Sequence, residues 1–164
     1  MKAAGLPATT ARQPNFDFDT VPSIRERPDT VAMERIRGEV AIDGLTYAYP
    51  ERGGSPALDE VSLRAEAGQT IGVVGAVGSG KSTLVSAIPR LLEVPDGAVA
   101  VDGVELNRVP LHLLRSSIAM VPQDSFLFST TLLENIRFGR PDASVEEVRE
   151  AARRAHILDE IESF

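Results

Sequence analysis

The sequence predicts an α/β fold, and three observations carry that prediction. From Gly38 onward, short β-rich runs alternate with helical runs, bounded by Gly, Pro and Asp. An apolar run, Thr70 to Val74, leads through a Gly-rich turn into an amphipathic stretch from Lys81 to Leu92, the strand–turn–helix order of such folds. The 164 residues are 43% hydrophobic and 25% charged, which is ordinary for one globular domain.

Taken in order, residues 1–37 hold four of the eleven Pro residues, show no sustained apolar period, and carry six basic against five acidic groups. They read as an extended linker or leader. Residues 38–164 form the body. Strands are predicted at Val40 to Tyr49, Val61 to Ala65, Thr70 to Val74, Ala98 to Val101 and Ile118 to Val121, where β-branched and apolar residues cluster. Helices are predicted at Lys81 to Leu92, Leu111 to Ser116, Leu132 to Ile136 and Ser144 to Ile161. Pro89 inside the first of these would cost ~3 kcal/mol in a helix interior, so a kink or early end is expected near Ile88. The last opens on Ser144 and Glu147, spaced so that each side chain caps the other's backbone N–H. Val145, Val148, Ala152, Ala155, Leu158 and Ile161 then recur every three or four residues as one buried face.

Composition excludes several kinds of chemistry. With no Cys there is no disulfide framework, zinc knuckle or thiol nucleophile, and two separate histidines, His112 and His156, are too few for a usual zinc cluster. The body carries 11 basic and 19 acidic groups, so it lacks the basic footprint of a nucleic-acid binder, and no nucleic-acid partner is expected. No apolar run approaches the ~18 residues of a membrane span, nor does the N-terminus carry the apolar core of a secretory signal.

The sharpest signal is Gly75-Ala76-Val77-Gly78-Ser79-Gly80-Lys81-Ser82, a full match to G-x-x-x-x-G-K-[ST]. Glycines let such a loop turn successive N–H groups inward, and the following helix start adds partial positive charge, so phosphate oxygens meet a ring of donors. Lys81 supplies a mobile charge for the β and γ phosphates, and the Ser82 hydroxyl is a hard oxygen ligand for an accompanying Mg²⁺. Of the 17 basic residues 15 are Arg, and Lys81 is the one Lys after Lys2. It stands where a compact ammonium suits better than a planar fork. The net charge of −7 repels a nucleotide at long range, so binding must rest on these local donors.

Six ordered segments resemble the nucleotide-binding domain of ATP-binding-cassette (ABC) transporters, most like exporters of the multidrug and lipid type. They are residues 45–50 (Leu-Thr-Tyr-Ala-Tyr-Pro), 57–63 (Ala-Leu-Asp-Glu-Val-Ser-Leu), the loop with Ser82-Thr83-Leu84, residues 96–104, residues 121–129 around Pro122-Gln123-Asp124, and residues 134–139 (Glu-Asn-Ile-Arg-Phe-Gly). The likeness covers about residues 38–164, plus a leader, 22–29, that resembles the connector from a membrane domain. It implies a P-loop NTPase (RecA-like) core with a flanking antiparallel β subdomain and the start of a helical subdomain.

By that resemblance ATP and Mg²⁺ are the cofactors, and each role falls on a matching position. Tyr49 would stack on adenine while Tyr47 packs; Gly75, Gly78, Ser79, Gly80, Lys81, Ser82 and Thr83 would hold the phosphates; Lys81 and Gln123 would act in catalysis, and Ser82 and Gln123 at the metal. Residues 124–139, with Phe126, Phe128 and Asn135, would meet the transmembrane domain of an exporter, and a second nucleotide-binding domain would complete a homo- or heterodimer. The site would lie at the cytoplasmic face of the cell membrane. One departure is Val77, where such exporters usually have Ser or Thr. The family's signature motif, Walker B strand, D-loop and switch His do not occur in these 164 residues. The C-terminal half of the sheet is therefore expected to be missing, and hydrolysis by these residues alone is not expected. The alternative expectation is a truncated, non-hydrolysing nucleotide-binding or interaction fragment.

Overall fold

The computed structural model describes residues 24–50, 53–124 and 126–163. Residues 1–23 of the expected leader, Pro22 and Ser23 included, lie outside them. The chain divides into two compact units, Met1–Ala119 and Met120–Phe164.

The first unit is built on a four-stranded antiparallel sheet in the order β2-β1-β3-β4, with β1 Val40–Tyr47, β2 Leu58–Ala65, β3 Val99–Val101 and β4 Val104–Glu105. The long hairpin pairs Val40 with Ala65, Ile42 with Leu63 and Tyr47 with Leu58, with register shifts on either side of Leu45. On its other edge β1 pairs with β3, Ile42 opposite Val99. The β3–β4 connection is the two-residue turn Asp102-Gly103, both at positive φ (51° and 78°). That pair is the strongest short-range hairpin signal, because both central residues of a type I′ turn need φ > 0. Asp102 also accepts the N–H groups of Arg37 (2.5 Å), Gly38 (3.1 Å) and Glu39 (2.9 Å), which anchors the entry to β1.

One apolar face of this sheet carries the core: Ile42, Leu45, Leu58, Val99 and Val101 pack with Leu84 and Ala87 of α1 (Lys81–Ala87) and Leu114 of α2 (Leu111–Ser116). A 3₁₀ turn, Leu106–Arg108, adds fully buried Leu106. Helix α1 ends where Pro89 requires, with Ile88 as its C-cap. Residues 24–37 contain no helix or strand but lie along the body. Arg27 donates to both oxygens of Asp96 (3.1 and 2.6 Å), Leu111 N–H donates to Glu26, and Met33 and Ile36 pack against the core.

Two strand expectations are corrected. Neither Thr70 to Val74 nor Ile118 to Val121 forms a strand. A strand is held by ladders to its neighbours, and among the described residues neither run pairs with another strand. The ends of both runs stay open, Val74 at 96% and Val121 at 95% exposed, while Ile118 is half-buried against the core.

The second unit comprises α3 Leu132–Arg137, α4 Val145–Arg154 and α5 Leu158–Glu162. Thr131 caps α3 by accepting the Glu134 N–H, and the Ser144–Glu147 capping box opens α4. The single helix expected from Ser144 to Ile161 is broken at His156, whose φ is +58°. There the Ile157 N–H reaches Ala152 O and the His156 N–H reaches Arg153 O, the paired bonds of a Schellman stop. Asn135 ties residues 126–131 back to α3: its Oδ1 accepts the Phe128 N–H at 2.7 Å, and its Nδ2 donates to Phe128 O at 3.1 Å and Thr131 O at 3.0 Å. The rings of Phe126, Phe128 and Phe138 form an open aromatic cluster, with centroids 5.1 and 4.6 Å apart.

Candidate phosphate-binding site

The Gly75–Ser82 loop closes on itself in a way its residues dictate. A Cβ on Gly75 would meet Ser79 Oγ at 2.6 Å, so the loop folds over a position with no side chain. Gly80, the N-cap of α1, sits at φ +86° in the left-handed region that glycine adopts without strain. The Lys81 ammonium donates to Gly75 O at 2.8 Å and Ala76 O at 2.7 Å, with Ser79 Oγ at 3.5 Å. That holds the charge over the mouth of the loop.

Phosphate fits this donor set. Within the loop the Ser79 N–H goes to Ala76 O at 3.2 Å, whereas the N–H groups of Gly78, Gly80, Lys81 and Ser82 have no acceptor among the described residues. Unpaired backbone donors beside an ammonium form an anion cradle. Ser82 is exposed, so its hydroxyl is open to a hard cation carried by the phosphates. Val77, the departure from the exporter pattern, is fully exposed and leaves the backbone donors untouched. Among the described residues no cluster of His, Asp or Glu could hold a metal on its own.

Tyr49 joins the cradle through α1. Its hydroxyl lies 3.1 Å from Thr83 Oγ1, and Thr83 is only 7% exposed. The Tyr47 ring stands edge-on to that of Tyr49, with centroids 5.1 Å apart and planes at 86°. Tyr47 packs against the core, and burial, with a smaller contribution from Tyr49, raises its pKa and keeps it neutral. A second tie runs alongside: the Ala57 N–H donates to Tyr47 O at 2.7 Å, and the Ala57 carbonyl lies against Gly80.

Of the residues singled out in the sequence, Tyr49, Gly75, Gly78, Ser79, Gly80, Lys81, Ser82 and Thr83 belong to the first unit. Gln123 belongs to the second, is exposed, and follows no strand. Ala57 was not legible as part of the site, because its contribution is a backbone carbonyl that carries no side-chain signal.

The ABC transporter family model matches residues 58–163. The chain is 40% identical over 145 residues to a β-(1→2)glucan export ATP-binding/permease protein of Rhodopseudomonas palustris (strain BisB18), an alignment covering 88% of this chain and 24% of the relative. It is 41% identical over 141 residues to heavy metal tolerance factor 1 of Caenorhabditis elegans, covering 86% of this chain and 17% of that one. Among solved structures, a bacterial Atm1-family ABC exporter with ATP bound superposes with a TM-score of 0.79 at 33% identity, over 89% of this chain and 25% of that one. The chain thus spans about a quarter or less of the length of these proteins.

Proposed function

The chain belongs to the ABC transporter family, and from that premise we propose that it binds Mg²⁺-ATP in the 75–83 cradle as the nucleotide-binding part of an exporter that couples ATP to transmembrane transport. The observation that carries this reading is the loop itself, with unpaired N–H groups and with the Lys81 ammonium held on the Gly75 and Ala76 carbonyls. In it Lys81 holds the β and γ phosphates, the loop amides hold their oxygens, and Tyr49 offers its ring to the base. Ser82 is the candidate metal ligand within the cradle. Bound Mg²⁺ would supply charge neutralisation at the phosphates being transferred.

On this reading Gln123 acts chiefly in coupling, since its neutral amide is a weaker ligand than the Lys81 charge. The aromatic cluster of Phe126, Phe128 and Phe138 is the docking face for a membrane domain, supported by exposures of 76%, 43% and 67%. A second nucleotide-binding domain completes the functional pair, at the cytoplasmic face of the membrane. Among the described residues no helix is long and apolar enough to cross a membrane.

The test uses the chain's own chromophores. It has two tyrosines, Tyr47 and Tyr49, and no Trp, so intrinsic tyrosine emission reports on this site. Titration with Mg²⁺-ATP is expected to change that emission saturably; Lys81→Ala is expected to weaken binding more than about tenfold, and Gln123→Ala less than that. Equal affinities for the wild-type and Lys81→Ala chains would overturn the reading.

A further inference from the structure

Thr83 stands where the phosphates would be reached from α1, yet its hydroxyl is engaged elsewhere. It is 7% exposed, and its Oγ1 lies 3.1 Å from the Tyr49 hydroxyl. A buried hydroxyl left unpaired is costly, so this bond ties two distant segments, the end of the β1–β2 hairpin and the first turn of α1. The same two segments also meet at Ala57, whose N–H donates to Tyr47 O and whose carbonyl packs against Gly80. The hydroxyl bond sets where the end of the Tyr49 side chain stands relative to α1.

We infer that Thr83 is a positioning residue: its hydroxyl holds the Tyr49 ring at a fixed distance from the Gly75–Ser82 cradle, so that the site takes an aromatic base and a triphosphate as one ligand. The inference rests on the reading that the cradle binds a nucleotide. It departs from the expectation that Thr83 contacts phosphate, because a hydroxyl bonded to Tyr49 acts on the base end of the ligand. Pre-set spacing favours a nucleoside triphosphate over bare triphosphate, since less ordering remains to be done on binding.

Calorimetric titration of the full chain with Mg²⁺-ATP and, separately, with Mg²⁺-tripolyphosphate tests this. Tyr49→Phe and Thr83→Val each remove one hydroxyl with little change of shape. Each frees the Tyr49 ring, which must then be ordered on binding, and is expected to weaken ATP about fivefold, the cost of immobilising one side chain, and to leave tripolyphosphate within about twofold. The double variant should lose no more than either single variant, since both remove the same bond, and Thr83→Ser should retain wild-type affinity. If Thr83→Val weakens tripolyphosphate as much as ATP, or if the two losses add, the positioning role is overturned and Thr83 is a phosphate contact. If neither ligand binds the unsubstituted chain, the nucleotide reading falls and this inference with it.

Discussion

Gly80 and Ala57 approach so closely that a Cβ on Gly80 would stand 2.3 Å from the Ala57 carbonyl oxygen. The last turn of the phosphate loop is therefore braced by the end of the antiparallel sheet. The brace depends on a glycine for two separate reasons, space and a φ of +86°.

Gly78 separates those reasons. It also sits at positive φ (+81°), but a Cβ there would meet nothing within 4 Å. Gly78→Ala should cost only the left-handed conformation, about 1–2 kcal/mol, whereas Gly80→Ala must also displace the Ala57 backbone. The expected difference in urea unfolding, followed by circular dichroism, is at least ~1 kcal/mol more for Gly80→Ala. Equal losses would show that the contact with Ala57 braces nothing.

Asp102 is expected to make stability depend on acid. Partial burial raises its pKa, but the backbone N–H groups of Arg37, Glu39 and Gly38, with a smaller effect of the Arg37 charge, outweigh that and hold the carboxyl below its ordinary value. A carboxyl depressed in the folded state binds protons more readily when unfolded. Its contribution is therefore complete above about pH 3.9 and is lost as pH falls through the lower folded-state value. Asp102→Asn keeps a residue that tolerates positive φ and removes the charge. The variant should melt below the wild-type chain at neutral pH, with the gap closing in strong acid. A gap independent of pH would assign the loss to the turn rather than to the charge.

Ser144 should control the start of α4. Its Oγ accepts the Glu147 N–H at 3.2 Å, while its own N–H donates to Glu147 Oε2 at 2.8 Å. Removing the side-chain half of such a cap costs about 1 kcal/mol as Ala and only a few tenths as Gly. In hydrogen-exchange mass spectrometry of the full chain, the amides of residues 145–154 should exchange about fivefold faster in Ser144→Ala and nearly as in wild type in Ser144→Gly. The same acceleration in both variants would mean that the cap contributes little.

The features legible in advance were those fixed by neighbours in the chain. The Gly75–Ser82 loop, the stop of α1 before Pro89, helix α2 at Leu111–Ser116 and the Ser144 capping box all rest on contacts within a few residues. Two further local signals lie in the sequence. Asp102-Gly103 announces the β3–β4 turn, and His156 takes the left-handed position that splits α4 from α5, which the continuous apolar period masks.

Residue order alone suffices for the phosphate loop, for the family, and for the alternation of apolar runs behind the strands and helices. Tertiary structure decided the rest, because the deciding partners lie far apart in the chain. Thr70 to Val74 has the composition of a strand, yet pairing is a property of two segments, and the described residues supply no second one. Tyr49 and Thr83 are 34 positions apart, and only the docking of α1 against the hairpin brings their hydroxyls within hydrogen-bond distance. Ala57 meets Gly80 through a carbonyl that every residue possesses. A side-chain pattern reports what a residue can offer, and folding decides which backbone stands opposite it.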